Sequence, residues 1–86
     1  MKVYYTYMLR CQDNSLYTGY TDNVEKRVAT HNEGKGAKYT RGRLPVVLVH
    51  CEEFLDKSSA IKREIEIKSL SKEKKEKLVS IKKVPG

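Results

Sequence analysis

From Lys2 to Cys11 the chain alternates, with Val3, Tyr5, Tyr7, Leu9 and Cys11 on one side and Lys2, Tyr4, Thr6, Met8 and Arg10 on the other. A period of two in β-branched and aromatic residues predicts a strand. Gln12, Asp13, Asn14 and Ser15 are turn formers, and strand composition resumes from Leu16 to Thr21. The first twenty-one residues therefore read as a β-hairpin with a short loop. Asp22 followed three positions on by Glu25 fits a capping box, and the apolar stripe of Val24, Val28 and Ala29 stops before Gly34, which predicts a short helix over 23–32. Residues 34–43 hold four bases, three glycines and no acid, the composition of a cationic loop. Pro45 limits the chain before Val46 to Phe54, a β-branched run that reads as a third strand. Asp56 or Ser58 can cap a helix through about Lys68, and Ser71 a last helix from Lys72 to about Ile81. The order ββαβαα, begun by a hairpin, predicts an α+β domain in which helices pack on a small antiparallel or mixed sheet.

Eighty-six residues close around one core, so a single domain over 1–82 is expected, with 83–86 a loose tail. No apolar run is long enough to span a membrane. The first eleven residues carry Lys2, Arg10 and three tyrosines with no small-residue cleavage site after them, which argues against a secretory signal and for a cytoplasmic protein. Cys11 and Cys51 stand forty positions apart without metal-ligand spacing, as expected of two reduced thiols. The net charge of +7 changes the picture more, because it favours a polyanion as partner. The excess is spread over both halves, with eight bases against four acids in residues 1–44 and ten against seven in 45–86. Any nucleic-acid surface must then belong to the folded body rather than to a basic tail.

Three features carry candidate chemistry. Glu64 lies among Ala60, Ile61, Ile65 and Ile67, near the centre of the stripe that the last long helix should bury. A buried carboxylate needs a cation, a hydrogen-bond network or a wet cleft; the alternative is a surface pair with Lys68, four residues on. Arg27 and His31 are also four apart and share a helix face beside Val24 and Val28, offering a phosphate-matched fork and a group that can move a proton near neutral pH. Six tyrosines against one phenylalanine suggest that some phenols are presented rather than only packed, and Gly19 inside the second strand marks a close approach.

Tyr5-Thr6-Tyr7, Tyr17-Thr18-Gly19, Arg27, His31 and Glu64, in this order over about residues 2–80, resemble the GIY-YIG nuclease superfamily, with the nearest likeness to its small bacterial single-domain branch. The first family triplet keeps only its tyrosine here and the second keeps tyrosine and glycine, with nine residues between Tyr7 and Tyr17. Where many relatives carry a lysine after the second triplet, Tyr20 and Thr21 stand, and an asparagine that often follows the metal-binding glutamate has no match. The resemblance implies a three-stranded antiparallel sheet flanked by helices. It also implies a single magnesium or manganese ion on Glu64, Arg27 on the scissile phosphate, Tyr7 and Tyr17 lining the site with one of them activating the attacking water, and His31 assisting. Gly19 would leave room for the nucleic-acid backbone.

Lys35, Lys38, Arg41 and Arg43, with Tyr39 between them, are candidates to grip phosphates and stack on a base. The last helix, where Lys72, Lys74, Lys75 and Lys77 alternate with Glu73 and Glu76, reads as a solvated face. The expected activity is that of a structure- or damage-directed DNA endonuclease of low sequence specificity, with a role in repair or recombination, working as a monomer or targeted by a protein partner. Two rivals are a nucleic-acid-binding module with the same fold and little turnover, and a basic interaction protein with no nucleic-acid role.

Overall fold

The computed structural model describes residues 2–81; the expected loose tail over 83–86 and the domain end at 82 lie outside the described residues. The elements run β1 (Tyr4–Arg10), β2 (Leu16–Thr21), α1 (Val24–Asn32), α2 (Lys38–Arg41), β3 (Val47–Phe54), α3 (Lys57–Lys68) and α4 (Lys72–Ile81). The three strands form one antiparallel sheet in the order β2-β1-β3. The expected α+β architecture is what forms, with one addition: the cationic stretch contains the single turn α2.

The central strand explains the packing. Thr6, Tyr7, Met8 and Leu9 are all buried, because helices cover both faces of β1. Tyr7, Leu9 and Cys11 form one cluster with Val46, against which Tyr17, Val28 and Leu44 pack. On the opposite face the Thr6 hydroxyl donates to the Ala60 carbonyl at 2.7 Å and seats α3. Register puts Tyr7 opposite Gly19 on β2 and opposite Cys51 on β3, so these three share a face. Among the described residues no helix is long and apolar enough to cross a membrane.

Two local expectations are corrected. Asn23, not Asp22, caps α1: its side chain accepts from the Lys26 N–H at 3.1 Å, while Asp22 pairs with Lys2 at 3.3 Å. On α3, whose N-cap is Asp56, Ile65 is 63% exposed and does not belong to the buried stripe. Ala60 and Ile67 are the fully buried positions, and at about 100° per residue Ile65 stands about 140° from Ala60 while Glu64 stands only about 40° away. The helix thus turns an isoleucine outward and a glutamate inward.

Candidate active site

Tyr7 is 1% exposed, and its hydroxyl lies 2.9 Å from Nε2 of the fully buried His31. Nδ1 of His31 meets the Thr40 hydroxyl at 2.9 Å, and that hydroxyl donates to the Ala37 carbonyl, also at 2.9 Å. With the Thr40 proton committed to Ala37, its oxygen accepts from Nδ1–H, so Nε2 carries the lone pair that takes the Tyr7 O–H. The Ala37 N–H approaches Nδ1 only at 3.4 Å, and the opposite tautomer would exchange a 2.9 Å bond for that longer one. The result is a continuous line from phenol to imidazole to hydroxyl to carbonyl. The turn α2 exists to hold its far end, and Asn32 closes the loop beneath it by exchanging two hydrogen bonds with the Val46 backbone, at 2.7 and 3.1 Å.

Around this line stand the other candidates. The Tyr17 ring lies 6.4 Å from that of Tyr7 and 5.3 Å, edge-on, from that of His31. Burial pushes the Tyr7 phenol up to about 12; the Arg27 guanidinium beside it pulls the other way, and the neighbouring Tyr17 and the Glu64 charge raise it. Burial, and then the charge of Arg27, hold His31 below its ordinary value, so it is neutral at pH 7. Both shifts keep the pair uncharged. Tyr7, Tyr17, Arg27 and His31 therefore gather at one place, with Glu64 within electrostatic reach of the Tyr7 phenol.

Glu64 is held by its helix. Its side chain is 14% exposed and its Oε2 meets Lys68 Nζ at 2.8 Å, so both sequence readings hold at once: the carboxylate is turned inward and it is paired. Arg63, next along α3, grips Glu52 of β3 with bonds of 2.8 and 3.0 Å, and Glu52 in turn accepts from His50 at 2.7 Å. This network and the Thr6 bond fix the roll of α3 on the sheet, and with it the direction of Glu64. Among the described residues no cluster of three or more His, Cys, Asp or Glu side chains could hold a metal. A carboxylate that already holds an ammonium is nevertheless the right donor for a hard divalent cation completed by water and phosphate oxygens.

Gly19 shapes the centre. A Cβ there would lie 2.7 Å from the Tyr7 hydroxyl oxygen, 2.9 Å from Tyr7 Cζ and 3.2 Å from Tyr17 Cε2. Tyr7 cannot retreat without leaving His31. Gly19→Ala should therefore lower stability by about 1–3 kcal/mol through overpacking and disturb the phenol–imidazole bond; urea unfolding would measure the first, and a near-wild-type midpoint would show that Tyr7 has room to move. Gly36, which the sequence marks only as a loop glycine, plays a comparable part: a Cβ there would collide with the His31 ring.

The basic stretch is less free than its composition suggests. Arg41 donates to the Gly36 carbonyl at 3.3 Å. Arg43 bonds Asp13 at 3.0 Å and the Tyr39 carbonyl at 2.6 Å, and its guanidinium lies over the Tyr39 ring, 4.0 Å from the centroid. Tyr39 also stacks on Tyr17, with centroids 6.0 Å apart. These residues brace α2 against the hairpin, whereas Lys35 and Lys38 are exposed. Lys72 and Lys75 of α4, read from sequence as a solvated face, line a small cleft with Tyr39 and Leu16.

The buried neutral pair sets a pH window. His31 is depressed in the folded chain, so the stability it contributes is present above its unfolded value of about 6.5 and is lost as pH falls below it. Tyr7 is raised to about 12, so its contribution is present below the unfolded value of about 10 and is lost as pH rises through 12. The unfolding midpoint should therefore be flat between about 6.5 and 10 and fall on both sides, with Tyr7→Phe flattening the alkaline arm. An alkaline arm identical in Tyr7→Phe would assign that loss to other groups.

Comparison with known proteins agrees with this geometry. The family model of the GIY-YIG catalytic domain matches residues 3–77. The UPF0213 protein of Natronomonas pharaonis is 65% identical over 77 residues, covering 90% of this chain and 91% of that protein. The UPF0213 protein of Staphylococcus haemolyticus is 60% identical over 79 residues, covering 92% and 96%. A solution NMR structure of a UPF0213 protein from Bacillus halodurans, 52% identical, superposes with a TM-score of 0.63 over 96% of this chain and 88% of that one.

Proposed function

The chain belongs to the family of GIY-YIG catalytic domains, and on that premise we propose that it is a metal-dependent endonuclease hydrolysing phosphodiester bonds in DNA, structure- or damage-directed and of low sequence specificity. The observation that carries the reading is the buried Tyr7–His31 bond, with a guanidinium beside it and a carboxylate within electrostatic reach. Both ring nitrogens of the fully buried, neutral His31 are engaged, one by the phenol and one by the Thr40 hydroxyl, which leaves the phenol proton a ready acceptor.

Each group has a role that its surroundings support. Arg27, half-buried and acting on the Tyr7 phenol, offers a fork for the scissile phosphate. Tyr7 is the phenol whose proton has somewhere to go, because His31 Nε2 already accepts it; Tyr17 packs edge-on to the same imidazole and walls the site. A magnesium or manganese ion on Glu64 would supply charge for the leaving oxygen. In the absence of substrate the relay is strongly biased toward the neutral phenol. With Tyr7 raised to about 12 and His31 held below its ordinary value, both shifts oppose moving the proton. Burial contributes most of the raise, then Tyr17, and Glu64 least, while Arg27 opposes it, so drawing on Arg27 is what chiefly eases the transfer.

The buried, uncharged state of the Tyr7–His31 pair favours one alternative, a nucleic-acid-binding module with little turnover. Incubating nicked, branched and single-stranded DNA and RNA with magnesium or manganese decides between them, with Glu64→Gln as the control. Metal-dependent cleavage absent from the variant supports the endonuclease; binding by the wild type without cleavage of any substrate leaves the module.

A further inference from the structure

Beside the candidate centre, at the end of β2, lies an open cleft of about 450 Å³ lined by Lys2, Tyr4, Tyr20, Arg27 and Lys57. Its cations come from three separate places: the segment before β1, helix α1, and the first residue of α3. Against them stands the lining carboxylate of Asp22, whose 3.3 Å pair with Lys2 is 65% exposed on the lysine side and 48% on its own and so holds weakly. Three cations and one acid leave the cleft strongly positive, and the Tyr4 and Tyr20 side chains, on one face of the sheet by register, add phenols that can donate to an anionic oxygen. The cleft is far larger than a single phosphate, is open to solvent, and shares with the centre Arg27, whose guanidinium also acts on the Tyr7 hydroxyl. An enclosed pocket would suit a small anion; an open, polar, positive one suits a charged chain passing through.

We propose that this cleft is a second phosphate subsite, in which Lys2 and Lys57 hold the backbone phosphate neighbouring the one that Arg27 receives, so that a nucleic-acid strand is gripped as it leaves the candidate centre. The assignment rests on the nuclease reading for the position of the scissile phosphate, but its own content is a binding contact. Lys2 and Lys57 are exposed and can be changed without disturbing the core.

The probe is a short oligonucleotide without terminal phosphates, so that only backbone phosphates are available, titrated in EDTA to exclude turnover. Each phosphate contact contributes about 0.9 to the slope of log affinity against log salt on duplex and about 0.7 on a single strand. The Lys2→Gln/Lys57→Gln variant should lose about one contact's worth of slope and about tenfold in affinity near 0.1 M salt. A slope equal to that of the wild type, with Lys35→Gln/Lys38→Gln lowering it instead, would overturn the subsite and leave the nuclease reading intact. A lowered slope in a protein that cleaves nothing with magnesium or manganese would retain the subsite and remove that reading.

Discussion

Replacing Glu64 by Gln should abolish metal-dependent cleavage, with a loss of at least about 10³-fold, while leaving the fold and the affinity for nucleic acid in EDTA close to those of the wild type. The expectation follows from where the side chain sits. Glu64 stands on the buried stripe of α3 between Ala60 and Ile67, its side chain 14% exposed, with Lys68 as its ion-pair partner and the Tyr7 phenol within reach of its charge. Gln keeps the volume and the hydrogen-bonding capacity but removes the charge, so α3 has no reason to rotate. The pair with Lys68 is half open to solvent on the lysine side and contributes little to stability. Two readouts separate function from structure. The cleavage rate should collapse, and the alkaline arm of the stability profile should move to higher stability, since the carboxylate charge no longer raises Tyr7. The sign is fixed by that direction: removing a raising influence lowers the folded value toward the unfolded one, so less stability is lost on going above pH 10. Undiminished cleavage by Glu64→Gln would assign the activity to another site or to a contaminant.

Most of the fold is legible in the sequence because it is written in periodicities. The alternation around Tyr7 and the spacing of Ala60, Glu64 and Ile67 are local, and each strand and long helix follows from them within a residue or two. What local pattern does not carry is interaction at a distance. The turn α2 has no side-chain cap and lies in a glycine-rich stretch; it forms because Thr40, fully buried, has an imidazole to bond nine residues back. Asp22 and Asn23 are equally good caps by type, and in the fold it is Asn23 whose side chain accepts from the Lys26 N–H. The inward turn of Glu64 could be read from phase, yet counting apolar residues without phase wrongly enrols Ile65. Arg43 reads as a phosphate ligand from composition, but in the fold its guanidinium is engaged by Asp13 and Tyr39. Lys2 and Lys57, fifty-five positions apart, meet only once the sheet and α3 are assembled, and no spacing rule joins them.

The two tyrosines that the motif offers as equals should separate sharply when each loses its hydroxyl. Tyr7→Phe is expected to lower the cleavage rate by about 10²–10⁴, the range typical of losing a positioned proton-transfer group, whereas Tyr17→Phe should cost far less. The difference lies in the partners. Tyr7 Oη bonds His31 Nε2 at 2.9 Å, while Tyr17 meets the same imidazole through its ring edge, and phenylalanine preserves that contact. Truncation at Tyr7 also leaves Nε2 buried without a donor, at a cost of about 1–3 kcal/mol, so the variant should unfold at lower urea than Tyr17→Phe does. Stability alone does not account for the rate, and the pH profile of the rate separates the two effects. In Tyr7→Phe the acid arm of the rate profile, set by His31 charging below about 6.5, should disappear along with the relay, because the imidazole no longer has a proton to receive. If the rates fall equally in the two variants, or fall only for Tyr17→Phe, the phenol that activates water is Tyr17 and the buried Tyr7–His31 bond is a structural strut.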